Sequence, residues 1–213
     1  MKDNNLPKVI ALISQKGGVG KSTLARALSV EATKKKLKVL LADCDPQQKT
    51  SYEWTKWRQE SQLSPLIKSE VFNSISQVGK LKGYDLIVID GPARTSQGTK
   101  ELTAYADLII HPVGASRDDL LPAIREFNAL KALGISKDKL LFVLNHLSTP
   151  TEVLATQEYL TESGYPFAPY YLFEKASYRQ AQSEGKSISE VNYPSLKKQA
   201  QKLTNFILKK VEV

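Results

Sequence analysis

Eight consecutive residues, Lys16-Gly17-Gly18-Val19-Gly20-Lys21-Ser22-Thr23, carry the residue types that hold a polyphosphate. The glycines let the backbone bend with successive N–H groups pointing inward and no Cβ in the way. Lys21 can reach β- and γ-phosphates, and the Ser22 hydroxyl can hold Mg2+. An apolar run, Val9-Ile10-Ala11-Leu12-Ile13, precedes the loop, and a helix-compatible run, Leu24 to Thr33, follows it. Strand, glycine-rich turn and helix is the setting a phosphate-binding loop requires, with the helix adding free N–H groups and a positive dipole end. The residue types therefore point to a nucleotide and Mg2+ as ligands of 16–23.

Carboxylates stand where such a loop needs them. The run Leu40-Leu41-Ala42 ends in Asp43-Cys44-Asp45-Pro46-Gln47, and residues two apart on a strand share a face. A Mg2+ site needs hard oxygen ligands and hydrolysis needs a group to orient the attacking water, and Asp43 and Asp45 are candidates for these two tasks. The same pair would also serve as turn-forming aspartates before a proline. Cys44, between them, is expected to point into packing. A third apolar run, Leu86-Ile87-Val88-Ile89, ends in Asp90, a candidate to hold Mg2+ through a water.

The loop departs from the common pattern: Gln15 stands where a glycine is usual, and a second lysine, Lys16, precedes the glycines. In this form it resembles the deviant Walker A loop of the ParA/MinD family of ATPases. The resemblance implies that Lys21 acts within its own subunit, while Lys16 reaches across a homodimer interface to the partner's nucleotide. It makes Lys16, Lys21 and Asp45 the catalytic candidates. Asp43-Cys44-Asp45-Pro46-Gln47 resembles the family's second motif, in which the second aspartate, Asp45, positions the attacking water, and Asp43 would support the metal and its waters. Asp90 falls at the Walker B position, and Gly91-Pro92-Ala93-Arg94-Thr95 at the loop that senses the γ-phosphate. Arg94 would contact the partner subunit or stand exposed in the loop. Asn145, closing Phe142-Val143-Leu144, falls where relatives contact adenine, and an amide offers a base edge both donor and acceptor. His111 stands where the family usually has an apolar residue and is read as structural. The motifs follow the family's order, with 24 positions from Lys21 to Asp45, and Tyr178 to Glu190 resembles its C-terminal part.

These residues need a scaffold that brings strand ends together. Apolar runs predict strands near 8–14, 38–43, 84–90, 106–113 and 139–145, with weaker ones near 66–72 and 167–172. Strands alternating with helices imply an α/β fold: a mostly parallel central sheet with helices on both faces and ligands at the carboxyl ends of the strands. Length and even punctuation predict one domain over 1–213, of the size of small ParA-type ATPases without an N-terminal DNA-reading domain.

The formal net charge of +8 favours a polyanionic partner. From Lys186 onward, six lysines stand against two glutamates, and Leu196, Ala200, Leu203, Phe206 and Ile207 recur at helical spacing. Arg179, Lys186, Lys197, Lys198 and Lys202 are candidates for nonspecific DNA phosphates. The rival is a MinD-like helix lying on an anionic membrane, and the bland reading is a solvated helix face. No apolar run approaches membrane-spanning length, and the start lacks signal-peptide form, so a cytoplasmic protein is expected, nucleoid-associated by the DNA-binding reading. One cysteine leaves no shared iron–sulfur cluster of two cysteines per subunit, and no pocket for a ligase substrate is legible. The resemblance thus implies a partition-type ATPase that dimerises with ATP, binds nonspecific DNA in that state, and positions a cargo through a ParB-like adaptor that stimulates hydrolysis. A MinD-like membrane-associated positioning ATPase is the alternative.

Overall fold

A computed structural model of the chain describes residues 6–91 and 104–213. Six strands form one parallel sheet: β1 (Lys8–Leu12), β2 (Val39–Asp43), β3 (Ser69–Val71), β4 (Leu86–Asp90), β5 (Leu108–Val113) and β6 (Leu140–Leu144), in the order β3-β2-β4-β1-β5-β6. The helices are α1 (Lys21–Lys34), α2 (Thr50–Glu60), α3 (Ile75–Val78), α4 (Arg117–Ala132), α5 (Pro150–Ser163), α6 (Ala176–Ser183) and α7 (Pro194–Lys210). The apolar runs are continuous because both faces of the sheet are covered. Side chains alternate between two cores. Ile10 and Leu12 pack under α1, α6 and α7, whereas Val9, Ala11 and Ile13 pack under α3, α4 and α5.

The register makes the site. Leu12 and Asp43 both pair with Asp90, so the phosphate loop and the two carboxylates leave the sheet side by side. Connections from β1 run outward to β2 and those from β4 cross to β5, which places a topological switch between β1 and β4, where open α/β sheets bind ligands. Cys44 is buried in the core, as its alternation with the aspartates predicts.

The strand expected at 167–172 does not form. Phe167 and Phe173 make isolated bridges to Phe142 and Leu147, and Ala168 and Leu172 donate to the carbonyls of Phe142 and Leu144. Pro166 and Pro169 have no N–H to give, so the segment follows β6 without a continuous ladder. The amphipathic reading of the C-terminus holds. In α7, Ala200, Leu203 and Ile207 are buried against the sheet, Leu196 and Phe206 partly so, and the lysines face outward.

One long-range tie locks this side of the molecule. Arg58 of α2 is fully buried and grips Glu190 in a bidentate pair at 2.7 and 2.9 Å, while donating to the carbonyls of Pro65 and Gly185. Glu31 of α1 accepts from Ser189 in the same segment.

Candidate nucleotide site

A cleft of ≈ 310 Å³ opens at the carboxyl edge of β1 and β4. Gly17, Gly18, Gly20, Lys21, Ser22 and Thr23 line it. Gly20 holds φ 102°, a left-handed conformation, and a Cβ there would stand 2.0 Å from Nδ2 of Asn145, so this turn excludes any side chain. Lys21 is buried, its ammonium 3.3 Å from the Ser14 carbonyl and 3.4 Å from that of Lys16. Burial lowers its pKa, against the opposing pull of Asp90, Glu126 and Asp45. A lysine held this way is poised for a polyanion, whose charge would offset the desolvation.

The carboxylates divide their work. Asp90 is buried, and its Oδ2 accepts the Ser51 hydroxyl at 2.7 Å. Its Oδ1 has no hydrogen-bond partner among the described residues. Burial raises its pKa, with the Ser51 and Ser22 hydroxyls working the other way. A buried, unsatisfied oxygen costs free energy unless a ligand uses it. With Ser22 beside it, Asp90 fits a hard cation that takes oxygen ligands. No group of three or more acidic, His or Cys side chains that could hold a metal occurs among the described residues, so phosphate oxygens and waters would complete the shell.

Asp45 also lines the cleft, half-exposed. Its Oδ1 accepts the Gln48 N–H at 3.1 Å and its carbonyl the Lys49 N–H at 2.8 Å. The turn role and the cleft-facing role thus coexist in one residue. Asp43 is placed otherwise. It is fully buried and absent from the cleft lining, Oδ2 accepting the Ser51 and Tyr52 N–H groups and Oδ1 that of Asp45. It caps the N-terminus of α2, whose own N-cap position is Lys49 with no side-chain bond. In this structure both of its oxygens are thus bonded to backbone N–H groups leading into and at the start of α2.

Asn145 donates Nδ2 to the Val19 carbonyl at 2.8 Å, bracing the loop with one of its amide hydrogens. It also lines a second cavity of ≈ 50 Å³ with Thr23, Phe173, Tyr178 and Arg179. Lys16 is exposed, lies outside the cleft lining and forms a salt bridge with Asp119 in the first turn of α4. Asp119 also accepts the Ser116 hydroxyl at 2.7 Å. Burial works to raise its pKa, but the bonds from Lys16 and Ser116 outweigh it and hold it below the usual value.

Arg26, Ser51 and Thr50 are site residues that sequence reasoning missed. Arg26 of α1 lines the cleft and donates to the Thr50 carbonyl at 2.7 Å, to Gln182 at 2.9 Å and to the Ser51 hydroxyl at 3.3 Å. Thr50 Oγ1 lies 3.2 Å from Ser22 Oγ. A lone arginine within the otherwise small and apolar run Leu24–Leu28 was the available signal. His111 is buried with Nε2 3.0 Å from Glu126 and packs on Phe127 and Phe142, a structural setting. Residues 92–95, including Arg94, lie outside the described residues.

The basic residues do not form one free cluster. Arg179 pairs with Glu174 at 2.6 Å and Lys186 with Glu184 at 2.8 Å. Lys197, Lys198 and Lys202 are exposed on α7, Lys202 over the Tyr170 ring.

Residues 10–188 match the model of the CobQ/CobB/MinD/ParA nucleotide binding domain. The chain belongs to this family. It is 31% identical, over 193 residues, to the maintenance of carboxysome distribution protein A of Gloeobacter kilaueensis, covering 87% of this chain and 85% of that one. Among solved structures, the ATP complex of Cyanothece McdA superposes with TM-score 0.69 at 19% identity, over 96% of this chain and 97% of that one. The septum site-determining protein MinD of Pyrococcus horikoshii, complexed with Mg-ADP, gives 0.72 at 19%, over 98% and 100%. The family's fold is therefore shared across the whole sheet, and ATP and Mg2+ agree with what these neighbours hold.

Proposed function

We propose that this protein is an ATP-dependent, dimerising positioning ATPase that binds DNA without sequence preference in its ATP state and moves a cargo through a ParB-like adaptor. The observation that carries the reading is the placement of Lys16. A second loop lysine beside a phosphate site, yet held outside its own cleft on Asp119, is available to a neighbouring subunit. Lys21, the loop N–H groups and the N-terminus of α1 bind the β- and γ-phosphates. Ser22 and Asp90 would hold Mg2+, which when bound supplies charge neutralisation at the phosphate oxygens. Asp45, at the cleft wall, orients the attacking water, and Lys16 of each subunit completes the other's site.

The relative's name makes a protein assembly as suitable a cargo as a plasmid or chromosome. The DNA surface is drawn from the exposed lysines of α7 with Arg179. The membrane alternative is disfavoured because the apolar face of α7 is buried in the core and would have to detach to meet lipid. No described helix is long and apolar enough to cross a membrane.

The test is binding of the purified protein to random-sequence DNA and to anionic vesicles, with ATP, ADP or no nucleotide, at two salt concentrations. ATP-dependent, salt-sensitive DNA binding is the expected result. ATP-dependent vesicle binding without DNA binding would replace the reading with the membrane one, and neither would leave an ATPase whose partner is a protein or small substrate.

A further inference from the structure

The geometry points to Ser51 as the residue that presents Asp90 to the cation, with Arg26 holding Ser51 in place. This rests on the reading of Asp90 as a magnesium-site residue. A buried carboxylate can turn about χ2, and a fixed donor on one oxygen holds the plane of the group and so the direction in which the other oxygen faces. Here the Ser51 hydroxyl donates to Oδ2 at 2.7 Å, and Oδ1, on a residue that lines the cleft, has no hydrogen-bond partner among the described residues. Two contacts aim that hydroxyl. Its oxygen accepts from Nε of Arg26 at 3.3 Å, and its own backbone N–H is fixed by Asp43 at 2.9 Å. The guanidinium is clamped in turn, by the Thr50 carbonyl, by Gln182 and by the face of Trp54 at 5.5 Å. Ser51 and Trp54 are fully buried and Arg26 nearly so, so few other rotamers are open to the set.

Ser51 is a positioning residue, acting on the cation only through Asp90. Its place at the start of α2 has a second consequence. The turn from Asp45 to Thr50 lines the same cleft and leads directly into Ser51, so the order of that turn and the occupancy of the cation site are tied through one hydroxyl. Groups behind a metal's direct ligands commonly change affinity 10- to 100-fold when removed, a range that applies to Asp90 behind the metal-bound water; Ser51, one layer further out, should act by less.

The experiment titrates MgCl2 into the full chain holding a fluorescent ATP analogue, and reads the magnesium midpoint beside the analogue's affinity in EDTA. For Ser51→Ala the midpoint should rise by up to about 10-fold, the lower end of the range for groups that support a metal's ligands, with the EDTA affinity within about twofold of wild type. Arg26→Gln should move the midpoint the same way by less. Ser51→Cys, nearly equal in volume but a weaker donor, should fall between, and it serves as the reading if Ser51→Ala does not fold. A lowered melting temperature and EDTA affinity with an unmoved midpoint would mean a merely structural serine and would overturn the inference. An unmoved midpoint in Ser51→Ala beside a large shift in Asp90→Asn would also overturn it, while leaving Asp90 at the cation. An unmoved midpoint in Asp90→Asn itself would remove Asp90 from the cation site, and the proposed function would lose its metal arrangement.

Discussion

Replacing Asp119 by alanine should make the monomer less stable and the ATP-bound dimer tighter, two effects of opposite sign from one side chain. Lys16 is tied to Asp119 within its own subunit, with 54% of the lysine side chain and 16% of the aspartate side chain exposed. Solvent screening limits such a half-exposed pair to about 1 kcal/mol, the upper end for surface ion pairs. If Lys16 must leave Asp119 to reach the partner's nucleotide, each dimer breaks two of these pairs. Their prior removal should then favour dimerisation by about 2 kcal/mol, a roughly 30-fold lower dissociation constant. The same carboxylate sits in the first turn of α4 and accepts the Ser116 hydroxyl. Its loss should cost about 1.5–2 kcal/mol of monomer stability through the ion pair, the helix dipole and that bond together. At this chain length that lowers Tm by about 3–8 °C. Sedimentation velocity with AMPPNP over a range of protein concentrations measures the first effect, and thermal melting without nucleotide the second. A dimer of unchanged or weaker affinity, together with the lower Tm, would refute the reasoning, because Asp119 would then be serving α4 or the interface and not restraining Lys16.

Three further outcomes are expected. Gly20→Ala forces a Cβ onto the Asn145 amide in a left-handed turn. It should lower stability by about 1–3 kcal/mol and weaken nucleotide binding, read by melting and by titration with a fluorescent nucleotide. Glu190→Ala leaves Arg58 buried and unpaired and should cost about 3–5 kcal/mol. Burial works to raise the Glu190 pKa, but Arg58, the Ser187 N–H and Lys34 outweigh it and hold the carboxyl below its ordinary 4.5. A depressed acid stabilises fully above its unfolded value and loses that contribution as pH falls through the folded value. The gap in Tm between wild type and Glu190→Ala should therefore be full at pH 6–7 and close below about pH 4. Asp45→Ala should retain nucleotide and the ATP-bound dimer while phosphate release falls about 100-fold. Unaltered turnover would move the water-orienting role to another residue.

How legible these features were depended on how local their causes are. The phosphate loop needs only a strand, three glycines and a helix start close together in sequence, and Val9 through Thr23 display all of it. The sheet was legible from its apolar runs, except at 167–172, where Pro166 and Pro169 break a ladder that the aromatic residues suggested. Asp43 looked like a ligand because its type and strand-end position suit one. Its capping role appears only once α2 turns its N–H groups back toward β2. The Lys16–Asp119 pair spans 103 positions, and the Arg26–Gln182 contact spans 156. No periodicity reports such distances, because they follow from the strand order β3-β2-β4-β1-β5-β6 and not from neighbouring residues.

The pair between Arg58 and Glu190 also sets a timetable for the newly made chain. These residues are 132 positions apart, and at about 5–20 residues per second a ribosome takes roughly 7–26 s to supply the second after the first. During that interval α1 and α2 can form, but the guanidinium that ends up fully enclosed has no carboxylate to meet and must stay wet. The half of the molecule that carries the phosphate loop therefore cannot close before the 185–190 segment emerges. Nascent chains stalled short of Glu190 would present an open, hydrated seam beside Trp54, a surface for chaperones to hold until translation delivers the missing carboxylate.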